Sequence, residues 1–224
     1  FLARGEREHA QSLLERVVEQ KPNDLRSWRT LFELSTGSGN PTRMEKVISA
    51  LEKLEGDEGA TWRLGRALLL ASTGKSEDRS RAMDWLKEAE RRRPRWGKPN
   101  LLAGQIAETS GDNDLAITQY KAALERGEVT PTVVARLVRL LSSQRKEGEI
   151  ENILKQYRDL IPLSTDLVGL SANLALSSPD KSPTKIDDLL KALPEDSREA
   201  SVQLMRGQIL WALKKMPEAE AALR

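Results

Sequence analysis

The 224-residue sequence contains no cysteine, which excludes a disulfide framework, a thiolate nucleophile and a zinc–thiolate site. Histidine is also scarce: His9 is the only one, and with no cysteine to join it as a ligand we interpret it as a surface residue. No apolar run approaches the roughly 20 residues that a membrane-spanning helix needs. We therefore expect no membrane span, no cofactor and no metal.

Extreme charge is also missing. The formal net charge is +2, which gives no reason to expect a polyanion as partner. Hydrophobic residues make up 38% and charged residues 31% of the chain, a composition too apolar for a disordered segment and too charged for a membrane protein. We expect a folded protein, and the composition leaves its compartment open.

A repeat of about 34 residues runs along the whole chain. Its clearest copy places Ala116, Tyr120 and Ala123 at positions i, i+4 and i+7, which lie on one face of a helix. The same triplet recurs at Ala10, Leu14 and Val17; at Met44, Ile48 and Leu51; at Ala82, Leu86 and Ala89; at Ile150, Leu154 and Tyr157; and at Ile186, Leu190 and Leu193. In three copies a proline follows five residues later, at Pro22, Pro94 and Pro162, where it would end the helix.

Small residues occupy a second fixed place in the repeat. Gly65, Gly104 and Gly207 lie inside helical patterns, where glycine costs about 1 kcal/mol relative to alanine. Close contact between the two helices of one hairpin would offset that cost. One copy has the bulky Phe32 instead, so its helices are expected to lie further apart. Extra residues at 72–81 and 177–183 are expected to lengthen two loops.

The period and its skeleton of small, aromatic or leucine, alanine and proline positions resemble the tetratricopeptide repeat (TPR). That resemblance covers essentially the whole chain and implies an all-α, right-handed α-solenoid of antiparallel helical hairpins, without strands. It implies one continuous array, which divides into a lone second helix over 1–22 (helical pattern 6–20), hairpins over 25–57, 58–96, 97–130, 131–164 and 165–199, and an incomplete hairpin over 200–224.

The pattern begins and ends inside a repeat. We therefore expect the chain to be a fragment of a longer TPR-containing protein, whose targeting signals could lie outside it. The terminal helices should expose apolar faces that a further repeat would cover, and end-to-end self-association of the fragment is the expected consequence.

In the TPR family the first helix of each hairpin lines a concave groove that binds peptides. Carried over position by position, the resemblance implies these groove residues: Arg26, Arg29 and Glu33; Trp62, Arg66 and Leu69; Lys98, Leu101, Gln105 and Glu108; Arg139; Asn173; and Leu204, Gln208 and Trp211. Five are cationic and two are acidic, which predicts a mildly basic groove suited to an acidic segment of a protein or peptide. Trp62 and Trp211 would serve as anchors, or would instead pack between neighbouring repeats.

Other candidate motifs carry little chemistry. The run Gly74-Lys75-Ser76 lacks the earlier glycine of a phosphate-binding loop, and adjacent acids such as Asp187 and Asp188 point in different directions on a helix. We therefore expect neither an enzyme nor a small-molecule substrate. The basic run 91–96 fits a helix C-terminus, with contact to an acidic partner or to nucleic acid as the alternatives.

Three functions follow from these patterns. The leading one is a non-enzymatic protein-interaction scaffold. The second is a purely architectural segment of a long solenoid, with no ligand of its own. The third, RNA binding by a helical repeat, has only the basic run in its favour.

Overall fold

The computed structural model describes residues 4–36, 39–157, 160, 168–169, 171–172, 183–191, 193 and 199–223. These fall in two compact units, Phe1–Glu128 and Val129–Arg224. Every regular element in the described ranges is helical, which confirms the all-α prediction. The division into one continuous array of hairpins stays a prediction.

The described residues of the first unit form seven helices: α1 (Arg4–Gln20), α2 (Leu25–Ser35), α3 (Pro41–Glu55), α4 (Thr61–Ser72), α5 (Ser76–Arg92), α6 (Lys98–Thr109) and α7 (Asn113–Glu125). A 3₁₀ turn, Gly56–Glu58, follows α3. Helices α2 and α3, α4 and α5, and α6 and α7 pack in pairs. In addition, α3 packs against α4, and α5 packs against α6.

The described part of the second unit contains five helices: α8 (Pro131–Ser143), α9 (Glu147–Tyr157), α10 (Pro183–Lys191), α11 (Ala200–Ala212) and α12 (Met216–Ala222). Within this unit α8 packs against α9, and α11 packs against α12. Pro162 and the extra residues at 177–182 lie outside the described residues.

Side-chain caps set the beginnings of several helices. The carboxylate of Asp24 accepts hydrogen bonds from the backbone N–H groups of Arg26 and Ser27 at the start of α2. Asn40 and Asp112 cap α3 and α7 in the same manner. These short polar side chains satisfy amide groups that have no partner within the helix.

Most of the triplet residues are buried in the core of the hairpins. Ala116, Tyr120 and Ala123 have no exposed surface, and Ala89 and Ile150 are equally buried. Their predicted inward orientation is confirmed. Leu154 is only half-buried, so the prediction for that position was too strong.

In α1 the predicted phase was wrong by one residue. Gln11 and Val18 face the core with 2% exposure each, whereas Val17 is 38% exposed. The amide of Gln11 donates a 2.9 Å hydrogen bond to the hydroxyl of Ser35 on α2. A buried glutamine that is paired in this way marks the inner face of α1, and hydrophobicity alone gives no signal for it.

Two of the three helical glycines make the close contact within one hairpin that the repeat predicts. A Cβ atom added at Gly104 would lie 2.8 Å from the Tyr120 ring, and one at Gly207 would lie 2.6 Å from Leu223. Both are contacts inside one hairpin. Gly65 differs, because its nearest neighbours are Ile48 and Phe32 of the preceding hairpin. Gly65 therefore makes room for Ile48 and Phe32, and the expectation of a close contact within its own hairpin is wrong for this glycine. The wider separation expected for the helices of the Phe32 copy stays a prediction.

The extra residues at 72–81 do not form a long loop. Helix α4 continues to Ser72 and α5 begins at Ser76, so only residues 73–75 connect the two. The insertion lengthens helix instead: α5 has 17 residues where α7 has 13.

Candidate protein-interaction surface

The solvent-exposed face of α2 carries a shallow depression of about 470 Å³. Its lining residues are Leu25, Arg26, Arg29, Thr30 and Glu33. The structure thus brings together the three groove residues that the repeat predicts for this helix. Arg26 is exposed and forms no ion pair within the described part of the chain.

Arg29 is tied to the joint between the first two hairpins. Its guanidinium lies 2.8 Å from Glu55 Oε1, and the Glu55 side chain is only 2% exposed. The other oxygen of Glu55 accepts hydrogen bonds from the backbone N–H groups of Thr61 at 3.0 Å and Trp62 at 3.4 Å. A single buried carboxylate therefore caps α4 and holds Arg29, which satisfies an anion that would otherwise be costly to bury.

Trp62 is not an exposed anchor, and its predicted place in the groove is wrong. It is 6% exposed, and its indole N–H donates a 3.0 Å hydrogen bond to the carbonyl of Gly56. Its ring meets Trp85 of α5 edge-on at 5.3 Å. A side chain at Gly59 would collide with the indole, so this glycine leaves the space that Trp62 fills, while Gly56 adopts a positive φ of +60°.

Arg66 of α4 turns toward α3 and pairs with both Glu45 and Glu52, the latter at 2.9 Å. Burial lowers the pKa of Arg66, but the hydrogen bonds to Glu52 and Glu45 outweigh burial and raise it overall. Leu69 is half-buried beside these residues, and it lines a second depression of about 450 Å³ together with residues of α3.

The predicted residues of α6 lie on one half-buried face, namely Lys98, Leu101, Gln105 and Glu108. The ammonium of Lys98 pairs with Glu33 of α2. The carboxylate of Glu108 accepts a 2.6 Å hydrogen bond from the buried hydroxyl of Tyr120. Two of the four residues are therefore engaged in contacts within the unit.

The predicted residues of the second unit are more open. Arg139 and Gln208 are exposed, and Leu204 and Trp211 are 53% and 63% exposed. Trp211 is therefore exposed, and its use as an anchor stays a prediction. Asn173 lies outside the described residues.

The cations of the predicted groove are thus largely compensated. Arg29, Arg66 and Lys98 each face a glutamate of another helix, which the sequence pattern did not reveal. Arg26 and Arg139 are the two predicted cations for which the described structure shows no ion pair. The role of all these residues in partner binding stays a prediction.

Internal contacts account for most of the basic run 91–96. Arg91 pairs with Glu88 at 2.7 Å, Arg92 pairs with Glu58, and the guanidinium of Arg93 lies 4.5 Å above the Trp96 ring. The hydrogen bond from Arg92 holds the pKa of Glu58 below its usual value. These contacts favour the structural interpretation of the run over nucleic-acid binding.

The remaining motifs have ordinary surroundings. His9 is exposed on α1. Gly74 and Lys75 lie in the turn between two helices, where Gly74 has a φ of +72°. Asp187 pairs with Lys191 at 2.8 Å, while the Asp188 side chain lies outside the described structure. Within the described residues no three His, Asp or Glu side chains are grouped to hold a metal ion, and no helix has the length and hydropathy to cross a bilayer.

Apolar side chains are exposed on the first and last helices. Leu13 of α1 is 47% exposed, and Met216 and Leu223 at α12 are 41% and 53% exposed. The predicted association of the fragment through these faces stays a prediction, which sedimentation velocity over a concentration series tests.

Several solved structures share the arrangement of helices. Yeast Tom70 aligns with a TM-score of 0.62 and 17% identity over 94% of this chain and 43% of its own. YrrB, described as a TPR protein with an unusual peptide-binding site, aligns with a TM-score of 0.56 and 16% identity over 80% of this chain and 91% of its own. A chain of the Cut9–Hcn1 hetero-tetramer of the APC/C aligns with a TM-score of 0.57 and 17% identity over 95% of this chain and 41% of its own.

No protein-family model and no curated protein matches the sequence. The structural likeness therefore defines the fold: the chain is an all-α helical-repeat protein with a TPR-like fold. It spans less than half of the matched Tom70 and Cut9–Hcn1 chains.

Proposed function

We propose that the protein is a protein-interaction scaffold that binds an extended segment of another protein along the predicted groove, on the exposed face of the first helices of its hairpins. The observation that carries this proposal is the depression on α2, whose lining residues Arg26 and Thr30 are exposed and do no core packing. The likeness to YrrB, which is described as having a peptide-binding site, supports it by analogy of fold.

The segment that best fits this face is acidic. Arg26 offers an exposed guanidinium without an ion pair among the described residues, and Arg29 lies one helical turn further on. Guanidinium groups recognise carboxylates through paired hydrogen bonds. Because the neighbouring cations already face glutamates, we propose a groove that is only mildly basic.

A purely architectural role is the second candidate, and one observation favours it. Arg29, Arg66 and Lys98 form ion pairs within the first unit, as expected of a surface that holds its own repeats together. In that case the exposed face of the first helices of the hairpins would bind no partner.

Site-specific photo-crosslinking separates these two functions, because the chain has no native cysteine. Thr30→Cys places a benzophenone-maleimide label in the depression, and Thr118→Cys on α7 is the matched control. Both threonines are exposed, and both donate a hydrogen bond to the carbonyl four residues earlier. The scaffold predicts a defined adduct from cell extract at position 30 that is absent at position 118.

A charge change then tests specificity. Arg26→Glu in the Thr30→Cys background should abolish the adduct, since it reverses the one unpaired charge of the depression. Equal labelling at both positions, or an adduct that is indifferent to Arg26→Glu, would favour the architectural function instead.

A further inference from the structure

One ion pair of the first unit joins two helices that are far apart in sequence. Glu33 near the end of α2 pairs with Lys98 at the start of α6, 65 residues later, so the contact passes over the whole of the α4–α5 hairpin. Both side chains remain partly exposed, at 45% and 33%. The pair is thus accessible to solvent and to a ligand at the rim of the α2 depression.

Within the described part of the chain, the Glu33 carboxylate bonds to no group other than the Lys98 ammonium. The other groups that bond to Glu33, the guanidinium of Arg7 and the hydroxyl of Thr36, use its backbone carbonyl. The contrast with Glu55 is direct, because Glu55 is 2% exposed and caps α4. Glu33 can therefore leave its cation without exposing an unsatisfied buried group, whereas Glu55 cannot.

A second carboxyl group, that of Glu128, lies near Lys98. Glu128 follows α7, and its side chain covers Gly97, where an added Cβ would come within 2.6 Å of Glu128 Cγ. Burial raises the pKa of Glu128; the charge of Lys98 lowers it, and that of Glu33 raises it again. A second carboxyl group therefore remains near Lys98 when Glu33 moves away.

We infer that Glu33 is a built-in competitor: its carboxylate occupies the position on Lys98 that a carboxylate of an acidic partner would take, so the groove opens to such a partner only by exchange. This inference rests on the proposed function and adds its regulation. An exposed pair of this kind has a small free energy, so exchange is accessible at equilibrium. The competitor lowers the affinity for short or weakly acidic segments and favours those with several carboxylates.

The test is the affinity for a fluorescein-labelled peptide of eight glutamates, measured by fluorescence anisotropy, with an eight-glutamine peptide as the neutral control. Glu33→Gln should tighten binding about two- to five-fold at low salt, the range that an exposed ion pair provides. Glu19→Gln is the matched control, because Glu19 is an exposed glutamate of α1 that faces Lys46 at 3.9 Å. It removes the same charge and should leave the affinity nearly unchanged.

The Lys98→Gln background separates competition from a general loss of negative charge. There the competitor has nothing to block, so adding Glu33→Gln should produce no further tightening. Urea unfolding of each variant verifies that the fold is retained. If Glu33→Gln and Glu19→Gln change the affinity equally, or if Glu33→Gln still tightens binding without Lys98, the inference is overturned.

The same variants distinguish a failure of this inference from a failure of the proposed function. If Arg26→Glu weakens the peptide while Glu33→Gln has no effect, the groove is the binding face and only the competitor is refuted. If neither Arg26→Glu nor Lys98→Gln alters binding, the proposed function is refuted as well.

Discussion

Trp62 and Trp211 lie on the first helices of two hairpins, one in each unit, and they differ in solvent exposure. The first is 6% exposed and the second 63% exposed, although the repeat predicts both for the groove. The difference lies in the residues before each tryptophan. Gly59 leaves the space that the Trp62 indole fills, and the carbonyl of Gly56 accepts a hydrogen bond from the indole N–H. Glu55 accepts a hydrogen bond from the Trp62 backbone N–H. Trp211 lies near the end of α11 with no such turn beside it. A repeat position thus sets the helix and the phase, but local turns decide whether a side chain is available to a partner.

The largest expected effect is on stability. Trp62→Ala removes a buried ring and should lower the free energy of unfolding by about 3–5 kcal/mol, the usual cost of deleting a large core aromatic. Trp211→Ala should change it by less than about 0.5 kcal/mol, as for most surface substitutions. Urea unfolding followed by circular dichroism measures both. Equal costs would mean that the two environments are not as different as their exposures indicate.

Glycines provide a second contrast between the units. Gly104→Ala would push a methyl group into the Tyr120 ring and should cost about 1–3 kcal/mol, as overpacking typically does. Gly148→Ala on α9 meets nothing within 4 Å and should stabilise the protein by up to about 1 kcal/mol through helix propensity. The same urea experiment applies. A loss of stability at Gly148 would show that its surroundings are tighter than described.

The helix start above Trp62 is the third test. Glu55→Ala removes the carboxylate that caps α4 and holds Arg29, and we expect a loss of about 1–2 kcal/mol. Glu199 precedes α11 but makes no side-chain cap, so Glu199→Ala should cost less. Thermal unfolding of the two variants gives the comparison. The expectation is contradicted if Glu199→Ala lowers the unfolding temperature more than Glu55→Ala does.

The smallest effect is a difference in pH dependence. Burial holds the pKa of Glu128 above its ordinary value of 4.5, so ionising it as pH rises through that window costs stability. Glu128→Gln should therefore stabilise the first unit at pH 7, by less than about 1 kcal/mol for a partly exposed group. Its advantage over the wild type should disappear below the ordinary carboxyl pKa.

Asp187 in the second unit is the opposite case. The hydrogen bond from Lys191 holds its pKa below 3.8, so its contribution to stability is present at neutral pH and is lost as pH falls through the lowered pKa. Asp187→Asn should destabilise at pH 7 and have no effect in strong acid. Urea midpoints at pH 7 and pH 3 distinguish the two carboxylates by the sign of the change.

Most of the fold was predictable from sequence, because the repeated hydrophobic triplet marks the face that most of the helices bury. Ala116, Tyr120 and Ala123 illustrate this, since their spacing alone places them on one face. The insertion at 72–81 was mistaken for a loop because an extra turn of exposed helix is as polar as a loop. The phase of α1 was misjudged because its inner face includes Gln11, whose burial depends on Ser35 of another helix.

The candidate site was less predictable than the fold. The glutamates that compensate its cations lie 14 to 65 residues away in sequence, on helices that meet only in three dimensions. The repeat predicts Glu33 as a groove residue, but nothing in the neighbouring sequence indicates Lys98 as its partner. Local patterns identify which residues face outward, and only the packed structure shows which of them are already engaged.

The joint around Glu55 has an evolutionary consequence. Its carboxylate, the two glycines that follow and Trp62 form one arrangement, written in the sequence as Glu-Gly-Asp-Glu-Gly-Ala-Thr-Trp. A side chain at Gly59 would displace the indole, and a non-glycine residue at Gly56 would be strained because its φ is +60°. Loss of the carboxylate would leave Arg29 and the start of α4 without their shared acceptor. Selection should therefore act on the spacing Glu-Gly-x-x-Gly-x-x-Trp as a block. Among descendants of this sequence, that signature should persist or disappear as a whole, while the solvent-facing positions within it vary freely.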